Sequence, residues 1–303
     1  MQQSSVAYDY SVSKYFTFTA VIFGIVGMLI GVILALQLAF PGLNNLLGEY
    51  GTFGRLRPLH TNGIIYGFTL SGIWAGWYYI SQRVLKVSLN EHPFLALMAK
   101  LHFWLYALLM VLAVVTLWAG MSQSKEYVQL VWPIDILVVL VWVVWGISMF
   151  GIMGVRREKT IYISIWYFIS LYLAIAMLYI FNNIQVPTSL VAGIGDWTHS
   201  VSMYSGTNDA MVQWWFGHNA VAFVLTAGVI ALIYYFLPKE SGQPVFSYKL
   251  SLYSFWSMMF VYLWAGGHHL IYSTVPDWMQ TFGSVFSIVL ILPSWGTAIN
   301  MLL

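Results

Sequence analysis

Tyr15 to Phe40 reads YFTFTAVIFGIVGMLIGVILALQLAF, an apolar stretch with no charged side chain. Coiled into a helix at about 1.5 Å per residue it is about 39 Å long, more than the roughly 30 Å hydrocarbon core of a bilayer. In lipid an unpaired backbone N–H or C=O is too costly, so such a stretch crosses as a helix. Residues 1–14 ahead of it are polar and lack an early basic cluster, so the segment does not read as a cleaved secretory signal.

Outward from this segment the pattern repeats. Apolar stretches of spanning length lie at 59–81, 94–119, 132–154, 160–181, 210–236, 248–272 and 279–303. Turn residues separate them: Pro41-Gly42, Asn90 before Pro93, Pro133, Pro187, Pro238 and Pro276. Hydrophobic residues make up 60% and charged residues 7% of the chain, against about 25% charged in a soluble domain. So few charges cannot build a water-facing surface. The expected fold is all-α: a polytopic transmembrane helical bundle of about eight helices, with 1–303 forming one membrane domain. A net charge of +2 gives no reason to expect nucleic acid as a partner. The chain has no cysteine, which excludes disulfides, thiolate metal sites and covalent c-type haem attachment within it. Any metal must be held by histidine, carboxylate or tyrosine.

Lysine and arginine predict the orientation. With a cytoplasmic N-terminus, the inside carries Lys14, Arg83, Lys86, Lys100, Arg156, Arg157, Lys159, Lys239 and Lys249. The outside carries only Arg55, Arg57 and Lys125. Arg55 and Arg57 are therefore exceptions, and an anionic ligand at the outer surface would account for them. The outer connection 182–209, with Asp196 and Asp209 but no Lys or Arg, reads as a solvated cap or as a docking surface for another subunit.

Intramembrane histidine is costly and marks function by default. His60, His218, His268 and His269 all fall within roughly 12 Å of the outer boundary, counted at about 1.5 Å per residue. Two imidazoles from adjacent helical positions, His268 and His269, can approach a metal between them. His218 from a neighbouring helix would complete a three-nitrogen set suited to copper or zinc. The alternative is histidines bonded to backbone or water in a polar core. Tyr262 stands two turns before His269, where a phenol could supply a proton and an electron. His60 lies on a face with Gly63, Gly67, Ser71 and Trp74; that stripe fits either a flat macrocycle at the helix or plain helix packing. His92, His102 and His199 read as surface or interfacial residues.

The stretch Trp214-Trp215-Phe216-Gly217-His218-Asn219-Ala220, followed by Tyr262 and Gly266-Gly267-His268-His269, resembles the copper-binding core of the cbb-type oxidases. These are C-family haem–copper cytochrome c oxidases, and the chain is similar to their catalytic subunit over nearly its whole length. Arg55-Leu56-Arg57-Pro58-Leu59-His60-Thr61-Asn62 and the region from Lys125-Glu126-Tyr127 to Trp132-Pro133-Ile134-Asp135 carry the same resemblance. It implies copper on His218, His268 and His269. It makes Tyr262 the active-site tyrosine, covalently joined to His218. His60 becomes an axial ligand of a low-spin haem b, Arg55 and Arg57 partners of haem propionates, and Glu126 a calcium ligand near them. The family is a twelve-helix fold that takes its remaining haem ligands, including that of the high-spin haem b, from a later helix. This chain ends at Leu303 before such a motif, so it is expected to be the N-terminal two-thirds of the subunit and inactive alone.

The implied activity is reduction of oxygen to water coupled to proton translocation, in a bacterial cytoplasmic membrane. Electrons would come from cytochrome c through mono-haem and di-haem c-type cytochrome subunits. Ser251, Ser254, Tyr234, Thr297 and Asn300 could form a proton path from the cytoplasm towards Tyr262; each alone also fits helix packing. One rival is a nitric oxide reductase-like protein of the same superfamily. The other is a non-redox transporter with a histidine-lined site.

Overall fold

The computed structural model describes residues 7–46, 48–188 and 198–303. Asp196 of the connection 182–209 lies outside the described residues. The chain divides into two compact units, Met1–Thr160 with Gln185–Val201, and Ile161–Ile184 with Ser202–Leu303.

The first unit holds α1 (Ser11–Ala39), α2 (Phe53–Asn62), a π-helical segment (Gly63–Leu70), α3 (Ser71–Val84), α4 (Pro93–Ala119) and α5 (Trp132–Gly154). Proline opens α4 and α5, where a missing N–H costs nothing. Gly120, at φ 81°, closes α4 in the left-handed conformation that favours glycine. Two short strands, β1 (Gln185–Pro187) and β2 (Ser200–Ser202), pair within the connection 182–209.

Small residues let α1 lie close to the π-helical segment. A Cβ added to Gly27 would stand 2.7 Å from Ile64 Cδ1, and one on Gly67 would overlap the Phe23 ring. Gly67 therefore serves close packing against α1, one of the two readings of that stripe. Ser71 bonds the Tyr106 hydroxyl at 2.9 Å, and Trp74 is buried.

His102 departs from its expected surface position. It is 0% exposed, ringed by Phe16, Trp74, Tyr78 and Trp145, with the Tyr78 hydroxyl 3.0 Å from Nδ1. Its depth along α4 was legible, but the inward-facing side of that helix was not.

The second unit holds α6 (Ile163–Asn182), α7 (Gly206–Ala220), a second π-helical segment (Val221–Ala227), α8 (Gly228–Ser241), α9 (Tyr248–Ala265), a 3-10 turn (Gly266–Leu270), α10 (Asp277–Val289) and α11 (Ile291–Leu302). Ser247 caps α9, its hydroxyl accepting from Leu250 N at 3.2 Å.

Among the described residues six helical stretches are long and apolar enough to cross a membrane: Ser11–Ala39, Pro93–Ala119, Trp132–Gly154, Ile163–Asn182, Gly206–Ser241 and Asp277–Leu302. The two other expected segments are also helical but interrupted. Residues 59–81 pass through the first π-helical segment, and residues 248–272 change from α to 3-10 at Gly266. The all-α class stands.

Candidate metal centre

The site grows from two neighbouring elements of the second unit. His218 sits on α7, three residues before the helix widens into its π-helical segment. His268 and His269 sit on the 3-10 turn. Adjacent side chains there diverge by about 120°, wider than the α-helical 100° assumed from the sequence.

Glycine lets the turn reach α7. A Cβ on Gly266 would stand 2.7 Å from the Trp214 carbonyl oxygen and 3.2 Å from His218 Cβ. On its other side the turn meets α10, where a Cβ on Gly283 would stand 2.6 Å from Gly267 Cα. Neither position has room for alanine without a backbone shift.

The three imidazoles converge. One ring nitrogen from each of His218, His268 and His269 lies within 4.8 Å of the others, the only such metal-competent group among the described residues. His218 Nδ1 and His269 Nε2 are 3.4 Å apart. That is long for an N–H···N hydrogen bond, but two nitrogens each about 2.1 Å from one tetrahedral ion would be about 3.4 Å apart. His218 is buried and His269 exposed. The Trp214 indole stacks on His269 with centroids 4.2 Å apart, restricting how that ring turns.

Tyr262 packs its ring against His218, centroid to centroid 5.2 Å. Its partner is thus the histidine of α7 rather than the face shared with His269. His218 Nε2 is buried and has no hydrogen-bond partner. One nitrogen of that ring faces the histidine cluster while the other is left unsatisfied.

The polar residues expected on the inner side come together in part. Asn300 Nδ2 donates to Ser251 Oγ at 2.7 Å and to the Tyr234 hydroxyl at 3.2 Å, while its Oδ1 accepts from Ser247 N at 2.7 Å. Ser254 Oγ is buried without a hydrogen-bond partner, while the Thr297 hydroxyl lies at the Tyr167 phenol.

In the first unit, His60 Nδ1 bonds the Gly27 carbonyl at 2.7 Å, leaving Nε2 free. Gly31 makes room for the ring, since a Cβ there would be 2.6 Å from His60 Cε1. A histidine fixed through one nitrogen with the other open is the arrangement an axial ligand needs. Arg57 and Glu126 form an ion pair at 2.7 Å, and Arg55 donates to the Trp118 carbonyl at 3.0 Å.

Sequence reasoning missed Ser287, whose Oγ lies 2.6 Å from His268 Nδ1. A serine on a helix that also carries Thr281 and Ser284 gives no signal of its own. It also passed over Trp214, which was quoted only as part of a motif, although its place four residues before His218 put it on the same face.

The model of the family described as Cytochrome C and Quinol oxidase polypeptide I matches residues 11–303. The chain is 45% identical over 297 residues to the cbb3-type cytochrome c oxidase subunit CcoN1 of Stutzerimonas stutzeri, covering 98% of this chain and 60% of that protein. It is also 45% identical over 284 residues to cytochrome c oxidase subunit 1 of Rhodobacter capsulatus, covering 92% of this chain and 51% of that protein. The resemblance read from the histidine motifs is thereby borne out, and with its apolar helices the chain is a multi-pass membrane protein. It belongs to the cytochrome c and quinol oxidase polypeptide I family.

Proposed function

We propose that this chain is the metal-bearing portion of the catalytic subunit of a cbb-type terminal oxidase, which reduces oxygen to water with electrons from cytochrome c and translocates protons. The observation that carries this reading is the convergence of His218, His268 and His269 with the Tyr262 ring against His218. Copper bound by these nitrogens, together with a high-spin haem b, would supply the centre at which oxygen takes up electrons.

The chain's own residues do the rest. Tyr262 holds a transferable proton beside the site. Asn300, Ser251 and Tyr234, continued by Ser254 and Thr297 with internal water, would resupply it from the cytoplasmic side. His60 would ligate a low-spin haem b through Nε2. Arg55 and Arg57 would meet its propionates, and Glu126 a calcium ion beside them. In this reading residues 1–303 form one membrane domain, with the N-terminus in the cytoplasm of a bacterium. Mono-haem and di-haem c-type cytochrome subunits would deliver electrons, since the chain has no cysteine for such haems.

A nitric oxide reductase-like reading has less support, because residues 210–236 and 248–272 contain no glutamate beside the histidines. Metal analysis and a reduced-minus-oxidised spectrum of the complete, purified complex test the proposal. Copper together with haem b is expected; non-haem iron in place of copper would favour the reductase, and absence of both metals the transporter.

His60 gives a separate test. In the complete complex His60→Ala should abolish the low-spin haem signal while copper stays. Gly31→Ala should perturb the same signal by pressing on the ring. An unchanged spectrum in His60→Ala would leave His60 as a packing residue.

A further inference from the structure

We propose that Ser287 is a positioning residue that sets the metal-facing nitrogen of His268, an inference that rests on the copper reading above. The argument is one of hydrogen count. Ser287 Oγ donates its single hydrogen to the Gly283 carbonyl, 2.5 Å away and one turn earlier on α10. Towards His268 the same oxygen can then only accept. His268 Nδ1, 2.6 Å from Ser287 Oγ, must carry the hydrogen of that bond. A neutral imidazole protonated on Nδ1 presents its lone pair on Nε2, so the serine selects one tautomer and one ring orientation.

The frame that holds this pair is rigid. Gly283, whose carbonyl anchors the serine, lies directly against Gly267 and the backbone nitrogen of His268. The serine and the histidine it orients are therefore fixed to the same point of contact between α10 and the 3-10 turn. His269 is steadied differently, by stacking on Trp214, and His218 by burial. Among the three, His268 is the one whose ring is set by a side-chain hydroxyl.

Accepting a hydrogen bond from Nδ1–H raises the donor strength of Nε2, and loss of such a partner typically lowers metal affinity about 10- to 100-fold. The test uses the complete oxidase complex carrying Ser287→Ala or Ser287→Thr. Copper content is followed against a graded series of chelator, with the low-spin haem spectrum recorded on the same samples. Ser287→Ala should release copper at about 10- to 100-fold lower chelator while the haem spectrum stays that of the parent. Ser287→Thr keeps the hydroxyl and should retain copper as the parent does. Equal copper retention in Ser287→Ala and parent would overturn the proposal. So would a threonine variant that loses copper like the alanine one, since packing rather than the hydroxyl would then be responsible. His268→Ala, run alongside, should lack copper; full copper there would instead overturn the copper reading itself.

Discussion

Replacing His268 with alanine is expected to empty the copper position of the complete oxidase and stop oxygen consumption while leaving the low-spin haem in place. The substitution removes one of three converging nitrogens, and no other histidine, cysteine or carboxylate among the described residues completes such a group. Two imidazoles alone leave a first-row metal open to exchange with water and chelators. Unfolding is a poor alternative explanation. His268 is only half-buried, and its polar partner Ser287 keeps its own bond to Gly283. The stability cost is that of one hydrogen bond, about 1 kcal/mol, plus modest packing. His218→Ala and His269→Ala should lose copper as well, with a larger folding cost at His218 because that ring is buried. The haem signal separates the two effects, since His60 belongs to the first compact unit and the proposed copper ligands to the second. Metal analysis finding full copper in His268→Ala would remove the assignment.

The spans and the histidine triple were legible because both rest on one-dimensional quantities. Apolar length against bilayer thickness decides the first, and rare residue types at common depth the second. What was not legible depends on which way a helix turns and how it is wound. The π-helical segments at Gly63–Leu70 and Val221–Ala227 each begin three residues after a proposed ligand, His60 or His218. Such widened turns often occur at functional sites, but nothing in these apolar runs announces an i→i+5 bond. The 3-10 turn that carries His268 and His269 is similar: Gly266-Gly267 was visible, yet its purpose, close approach to Trp214 and Gly283, needs the neighbouring helices. His102 shows the same limit from the other direction. Its position near one end of α4 suggested an interface, whereas its buried aromatic surroundings come from α1, α3 and α5. The packing of Phe23 against Gly67 likewise needed the neighbouring helix to be seen.

Tyr262→Phe should keep the fold and both metals but cut oxygen turnover by a factor of about 10² or more, the usual range for losing a positioned proton donor. The ring lies against His218 with centroids 5.2 Å apart, and phenylalanine preserves that contact at nearly equal volume. What disappears is the hydroxyl, the one group at this position able to give up a proton and an electron. The proposed path draws on buried polar side chains: Asn300 bonded to Ser251 and Tyr234, with the Ser254 hydroxyl buried without a hydrogen-bond partner. A proton arriving by that route needs a terminal donor at the metal, and Tyr262 is the tyrosine whose ring meets a proposed ligand. His218 Nε2 is buried and unbonded while Nδ1 faces His269, so the covalent link that the family resemblance implies would use Nε2. Digestion of the parent complex should then yield one joined peptide pair from around His218 and Tyr262, lighter than the sum of its parts by the hydrogens lost on bond formation. The phenylalanine variant should yield the two peptides separately. Copper, haem and turnover measured on the same preparation decide the matter. Parent-rate turnover in a fully metallated Tyr262→Phe complex would show that the proton comes from elsewhere, and the preference for oxidase over reductase would lose its main support.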